Sequence, residues 1–179
     1  MTDTRAEVRV RLLRTDDDRT GFQSGDIELD RFFRRYAGQN QFRHHIGTTY
    51  VAVLGGAIAG FATVSMAELA TEKLTRKLRR RLPAYPLPAL RLARLAVDQR
   101  WQGLGTGRLL LRSVLELALE MRDRVGCTGV LVDAKANAVG FYGSLGFEAI
   151  DLASGGLGDR PSPEVMFLPI GTIAAAGRR

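Results

Sequence analysis

The sequence predicts a mixed α/β layer built around one sheet. Three observations predict it. Periodic segments follow the order β-α-β-β-(α)-β-α-β-α-β-β along the 179 residues. A Gly55-Gly56 pair separates two apolar runs, the strongest hairpin signal in the chain. An apolar run ending at Val97 passes through a short polar link into a glycine-rich turn, Gln102-Gly-Leu-Gly-Thr-Gly107, and then at once into a long amphipathic pattern.

Each element has its own reason. Val8 to Leu13 alternates apolar and charged residues, as a half-buried strand does. Asp26 to Ala37 carries apolar residues at 29, 32, 33, 36 and 37, a helical stripe, with Asp26 placed to cap it. Thr48 to Leu54 and Ala57 to Met66 form the hairpin. Leu69 to Leu82 is basic and partly helical. Pro83, Pro86 and Pro88 break that segment and deliver the chain, extended, into a strand from about Ala89 to Val97. The helix after the glycines runs from Thr106 to Arg124. Leu110, Val114, Leu117, Ala118, Met121 and Val125 share its buried face. Arg112–Glu116 and Glu120–Arg124 are the pairs expected on its exposed side, and Gly126 stops it. Val130 to Asp133 reads as a buried strand, Ala136 to Leu145 as a short helix ended by Gly146, and Phe147 to Ile150 and Glu164 to Pro169 as two closing strands. Ser154 to Pro163 reads as a mobile loop, and the tail after Ile170 as frayed.

Length and composition suit one soluble domain, with 45% hydrophobic and 25% charged residues. Residues 1–179 are expected to form a single domain, with an ordered core over about 8–169 and a tail from about 171. No apolar run approaches the roughly 18 residues that span a bilayer. The N-terminal MTDTRAEVRVRLL lacks an apolar signal region. Cys127 stands alone and is expected to be a buried small hydrophobe. His44 and His45 with one cysteine make no metal site, so no metal is expected. These features together point to a reducing cytoplasm.

The formal charge is +7 and unevenly spread. Between Lys73 and Arg94 there are eight basic residues and no acidic one, centred on Arg76, Lys77, Arg79, Arg80 and Arg81. A second acid-free stretch holds Arg31, Arg34, Arg35 and Arg43. Such clusters attract phosphate-rich partners through salt-sensitive forces. A solvated helix face is the plainer alternative.

The glycine turn is a phosphate cradle by its chemistry. A strand–turn–helix corner points several backbone N–H groups outward at the positive end of the helix dipole. Two common phosphate loops do not match. A dinucleotide fold needs its G-x-G-x-x-G after the first strand, and here the turn follows the fourth. A P-loop needs G-x-x-x-x-G-K-[ST], which is absent.

Leu95-Ala-Val-Asp98, then Gln102-Gly-Leu-Gly-Thr-Gly107, then an Arg-Leu-Leu helix, resembles the acetyl-CoA site of the GCN5-related N-acetyltransferases. Phe141-Tyr142 followed by Gly146-Phe147 is similar to that family's second motif, at its usual spacing. The resemblance covers about residues 8–169. It implies a mostly antiparallel sheet of six or seven strands flanked by about four helices, with a splayed strand pair at the cofactor site. It implies acetyl-CoA as co-substrate, held at Leu95, Ala96, Val97, Gln102, Gly103, Leu104, Gly105, Thr106, Gly107, Arg108 and Phe141. The pantetheine arm would pair with the backbone at Leu95 and Val97 like an added strand, and the N–H near Val97 would polarise the thioester carbonyl. The family places a tyrosine at Tyr142 as general acid for the departing thiolate. A phenol, with a pKa of roughly 10, stays protonated at neutral pH. Many relatives carry Asn where Lys135 stands. Asn137 is near but shifted, and neither is assigned a role. Glu68 is a candidate base, although a surface carboxylate is the plainer reading. A base is dispensable for an α-amino group whose carboxyl is esterified: its pKa of roughly 7.7–8.0 is lowered further by the ester, which leaves a substantial neutral fraction.

Phe22-Gln-Ser-Gly-Asp-Ile-Glu-Leu-Asp-Arg-Phe-Phe33, Ala37-Gly-Gln-Asn-Gln41 and Gly47-Thr-Thr-Tyr-Val-Ala-Val53 resemble the toxin branch of the same superfamily. That resemblance implies acetylation of the free amino group of aminoacyl-tRNA, inhibition of translation, a ribbon-helix-helix antitoxin encoded alongside, and a homodimer. Arg34, Arg35, Arg76, Lys77, Arg79, Arg80 and Arg81 would then contact the tRNA. The alternatives are an enzyme of the same fold acting on a small amine or a protein N-terminus, and a non-catalytic acyl-CoA-binding module.

Overall fold

The computed structural model describes residues 7–150 and 164–177; the loop expected at 154–163 lies outside them. Seven strands alternate with helices: β1 (Arg9–Leu12), α1 (Ile27–Arg31), α2 (Ala37–Gln39), β2 (Thr48–Leu54), β3 (Ala57–Leu69), α3 (Arg76–Arg79), β4 (Leu87–Val97), α4 (Thr106–Arg124), β5 (Gly129–Ala134), α5 (Val139–Ser144), β6 (Glu148–Ala149), β7 (Glu164–Pro169) and α6 (Ile170–Ala176). Hydrogen-bonded neighbours in the sheet run β1-β2-β3-β4-β5-β7-β6. The β1–β2, β2–β3, β5–β7 and β6–β7 pairs are antiparallel. The sheet, expected to have six or seven strands, has seven.

The chain forms two compact units. Met1–Ser65 with Leu92–Glu116 make the first, and Met66–Arg91 with Leu117–Arg179 make the second. The core of the first unit is aromatic. Phe33 stacks on Phe61 with ring centres 4.3 Å apart and planes 4° from parallel, and Phe22 meets both edge-on. Leu13, Phe32, Ala37, Val51 and Ala96 complete it. In the second unit Leu69, Leu74, Leu78, Leu87 and Ala89 pack with Leu131, Ile150 and Phe167.

Gly60 decides how closely α4 meets the sheet within the first unit. A Cβ there would fall 2.9 Å from the Ala96 carbonyl oxygen and 3.0 Å from Leu110 Cδ1. The absent side chain lets the first turns of α4 lie directly over β3 and β4. Leu110, Leu111 and Val114 are buried beneath.

The first helical stretch differs from a plain α-helix. Asp26 caps it as expected, accepting from the N–H groups of Glu28 and Leu29. The chain then widens into π-turns over Phe32–Tyr36 and Asn40–His44. Each inserted residue rotates the later side chains by about one helical position. Tyr36, expected on the buried stripe, is exposed, while Ala37 and Gly38 are buried. The wide turn leaves the Phe33 carbonyl for Arg19 Nη1, 2.9 Å away.

Four further expectations are corrected. Val125 is exposed, because the helix ends at Arg124 and Gly126, at φ +92°, turns the chain away. The Glu120–Arg124 pair does not form, and Arg122 pairs with Asp123 instead; Arg112–Glu116 does form, at 3.1 Å. β4 begins two residues early and includes Pro88, whose carbonyl accepts from the Thr128 N–H and hydroxyl. The tail does not fray over 170–176. Its alanines favour helix, Ile173 is buried, and the Ile170 N–H bonds the Thr128 carbonyl. Cys127 is buried as expected. Among the described residues no helix is long and apolar enough to cross a membrane.

Candidate active site

The glycine turn in the first unit is built to receive an external anion. Gly103 and Gly105 hold φ of +77° and +86°, the left-handed region that glycine enters without strain. A Cβ at either would meet nothing within 4 Å, so the backbone is open to a ligand there. The Leu109 N–H bonds the Gly105 carbonyl and closes the first turn of α4. The N–H groups before it, at Thr106 and Gly107, belong to the set that a helix start leaves without intrahelical partners.

Comparison with α1 sharpens this. That helix start carries its own anions: the Asp26 cap, then Glu28 and Asp30 in its first turn. The 19-residue α4, with the larger aligned dipole, has no acidic residue in its first turn, and Arg108 stands there instead. A helix start without its own anion favours a bound one. Gly103, Gly105 and Gly107 with Thr106 and Arg108 therefore fit the diphosphate of acetyl-CoA.

The approach to the turn is stitched to the segment before α1. The Asp98 carboxylate is buried and accepts from the Gln23 N–H at 3.1 Å and from Arg100 three times, at 2.9 to 3.0 Å. Burial pushes its pKa up. The hydrogen bonds from Arg100 and Gln23 outweigh that and hold it below the ordinary aspartate range. The Gln99 N–H bonds the Gln23 carbonyl, and the Gln102 side-chain amide donates to both Ser24 and Val97 carbonyls. This seam was not predicted. Its only sequence sign was an aspartate closing an apolar strand.

On β4 the side chain of Val97 lies 3.6 Å from where a Gly107 Cβ would stand, so Leu95 and Val97 share the face toward α4. Ala96 belongs to the aromatic core on the other face.

Tyr142 lies in the second unit, on α5. It is 5% exposed, edge-on to Phe141 at 5.2 Å and to Phe147 at 5.4 Å. Its carbonyl accepts from the Leu145 and Phe147 N–H groups, closing the helix at Gly146 (φ +94°). Burial pushes the phenol pKa up to about 12. Lys135, Asn137 and Glu68 are exposed.

The predicted cations divide into committed and available groups. Leu74, just before α3, and Leu78 within it turn inward and the basic side chains outward. Arg79 donates to the Glu72 carbonyl at 2.8 Å, whereas Arg76, Lys77, Arg80 and Arg81 are exposed and their side chains make no hydrogen bond or ion pair among the described residues. Near α1, Arg34 grips the Phe22 carbonyl through Nε and Nη2, at 3.0 and 2.6 Å, with Asp30 at 3.9 Å. Arg31 and Arg35 remain exposed on a cleft of about 490 Å³ that Gln23, Gly25 and Gln99 also line.

A mixed seven-strand sheet with a glycine-cradled helix start after its fourth strand defines an acyl-CoA-dependent transferase. A family model for the acetyltransferase (GNAT) domain matches residues 45–149. The chain belongs to that family and is an acetyl-CoA-dependent acetyltransferase. It is similar to a curated tRNA-acetylating toxin of Mycobacterium tuberculosis (strain ATCC 25618 / H37Rv). The two are 33% identical over 133 residues, covering 74% of this chain and 79% of that one. Among solved structures it resembles AtaT complexed with acetyl-methionyl-tRNAfMet (TM-score 0.82, 22% identity, 96% of this chain and 99% of that one). It also resembles an AtaT mutant toxin bound to the C-terminus of the antitoxin AtaR and acetyl-CoA (TM-score 0.76, 22% identity, 96% and 99%). At these identities the two structures speak for the fold.

Proposed function

We propose that this chain transfers an acetyl group from acetyl-CoA to the α-amino group of aminoacyl-tRNA and thereby blocks translation as the toxin of a toxin–antitoxin pair. The observation that carries this is the similarity over 74% of the chain to a tRNA-acetylating toxin. It is joined by exposed, unpaired cations on α3 and beside α1, where a phosphate-rich acceptor would bind.

Residues 1–179 act as one acetyltransferase domain in this reading. When bound, acetyl-CoA supplies the activated thioester. Gly103, Gly105, Thr106, Gly107 and Arg108 hold its diphosphate, and Phe141 lies beside the general acid. The acceptor nitrogen bonds the acetyl carbon and sheds a proton as the carbon–sulfur bond breaks. Tyr142 Oη gives its proton to the departing sulfur and regains one from solvent. Its burial keeps that proton in place until the sulfur charge develops. Glu68, exposed on β3, need not act, because an aminoacyl ester amine is largely neutral at physiological pH. Arg35, Arg76, Lys77, Arg80 and Arg81 face the tRNA, while Arg34 and Arg79 are bonded to the Phe22 and Glu72 carbonyls. We assign the protein a ribbon-helix-helix antitoxin encoded alongside, a homodimeric state, a cytoplasmic site of action and a splayed strand pair at the cofactor.

Incubation with labelled acetyl-CoA and total charged tRNA tests the reading. Label is expected on the aminoacyl group. Label confined to free amines or peptides would assign the acceptor to another class.

A further inference from the structure

Arg94 is the anomaly of the first unit. It sits on β4 between Leu92 and Ala96, on the strand face that joins the aromatic core. Its guanidinium carbon lies 3.8 Å from the centre of the Phe32 ring, and the side chain is half-buried. Burial lowers its pKa, the signature of a cation that loses hydration.

Other arginines held against the fold have an acceptor. Arg91, on the same strand, pairs with Asp133 at 2.5 Å. Arg11 has Asp17, Arg100 has Asp98, Arg34 has Phe22 and Asp30, and Arg19 has the Phe33 carbonyl. The Arg94 side chain has no hydrogen bond or ion pair among the described residues. Its nitrogens are not sealed in either, since among the described residues no fully buried side-chain nitrogen or oxygen lacks a partner. Stacking on Phe32 fixes the plane of the fork and leaves the edge donors available for a planar, bidentate acceptor. A partly desolvated cation without an acceptor is costly, and a leucine or methionine would fill the same place against Phe32 without that cost. The position is explained by an anion supplied from outside.

That anion is not the cofactor diphosphate. Val97, beside the α4 start, points to the opposite face of β4. We infer that Arg94 binds a phosphate of the acceptor, the phosphodiester of the terminal aminoacyl nucleotide, and so discriminates aminoacyl-tRNA from free amines. This rests on the acceptor reading above and makes Arg94 a specificity residue rather than part of the acetyl-transferring machinery.

The test uses two minimal acceptors: amide-linked 3′-aminoacyl-adenosine with and without a 5′-phosphate, each with a free α-amino group. The intact enzyme should favour the phosphorylated one by about ten- to a hundredfold in kcat/KM, the range of a charge-assisted bidentate contact. Arg94→Gln should abolish that preference while leaving the rate on the unphosphorylated acceptor and acetyl-CoA affinity unchanged. Arg94→Lys, which keeps charge but loses the fork, should retain part of it and guards against a folding artefact. A preference that survives both substitutions, or is absent from the parent enzyme, overturns the inference while leaving the acceptor reading intact. Failure to acetylate charged tRNA or either minimal acceptor removes the acceptor reading itself.

Discussion

The Gln102 side-chain amide donates to two carbonyls at once, Ser24 at 2.8 Å and Val97 at 2.9 Å. One residue thus anchors the entrance of the glycine turn to the end of β4 and to the segment that leads into α1. The amide works from the protein side and leaves the backbone of the turn for the ligand.

Gln102→Leu should therefore loosen the turn rather than delete a ligand contact. Two neutral hydrogen bonds are worth about 1 kcal/mol each. Acetyl-CoA affinity should fall about tenfold with little change in kcat at saturating cofactor. Calorimetric titration and steady-state kinetics check it. An unchanged dissociation constant would show that the turn is held in shape without Gln102.

Two glycine substitutions should separate cradle from core. Gly105→Ala meets no neighbour but forces a left-handed φ, so it should cost about 1 kcal/mol of stability and more than tenfold in cofactor affinity. Gly60→Ala collides with backbone and Leu110, so it should cost about 1–3 kcal/mol by overpacking. Thermal melts with and without acetyl-CoA distinguish the two. Equal losses of ligand-induced stabilisation would contradict the division.

Tyr142→Phe should lower kcat by about 10²–10⁴ while cofactor binding stays near normal. The pH behaviour has a definite sign. The folded phenol titrates at about 12 against roughly 10 when unfolded, so the native state keeps its proton longer. Stability owed to this group is constant below pH 10 and falls as pH rises from about 10 to about 12. In kcat/KM, activity should rise through the acceptor amine near pH 7.7–8.0 or below. Tyr142 should give no alkaline loss before pH 10. A falling limb near pH 9 would name a different acid.

Replacing Arg80 and Arg81 with glutamine should weaken tRNA use and flatten its salt dependence. Each phosphate contact contributes nearly one unit to the slope of log affinity against log salt, so the slope should drop by about two. Replacing Arg79, which is bonded to the Glu72 carbonyl, should instead lower stability. A slope unchanged by the double replacement moves the tRNA surface elsewhere.

The sequence by itself determined the element order, the Gly55-Gly56 hairpin, the limits of α4 and the glycine cradle. These rest on local physics: alternation, helical period, and backbone positions that only glycine fills easily. Through motif resemblance it also pointed to Tyr142 as the candidate acid. Only the tertiary structure decided the rest. The π-turns that expose Tyr36, keep Ala37 inward and bury Gly38 follow from how the helix settles on the Phe61 core. The second bond of the Gln102 amide spans 78 residues of sequence, and no local pattern foretells it. Arginine chemistry shows the same limit. In sequence Arg34, Arg79 and Arg94 are three members of basic stretches. In the fold one grips Phe22, one closes a turn, and one stacks on Phe32 with its donors uncommitted. Charge is written in composition, but whether a charge is already satisfied depends on which distant carbonyl or carboxylate the chain brings to it.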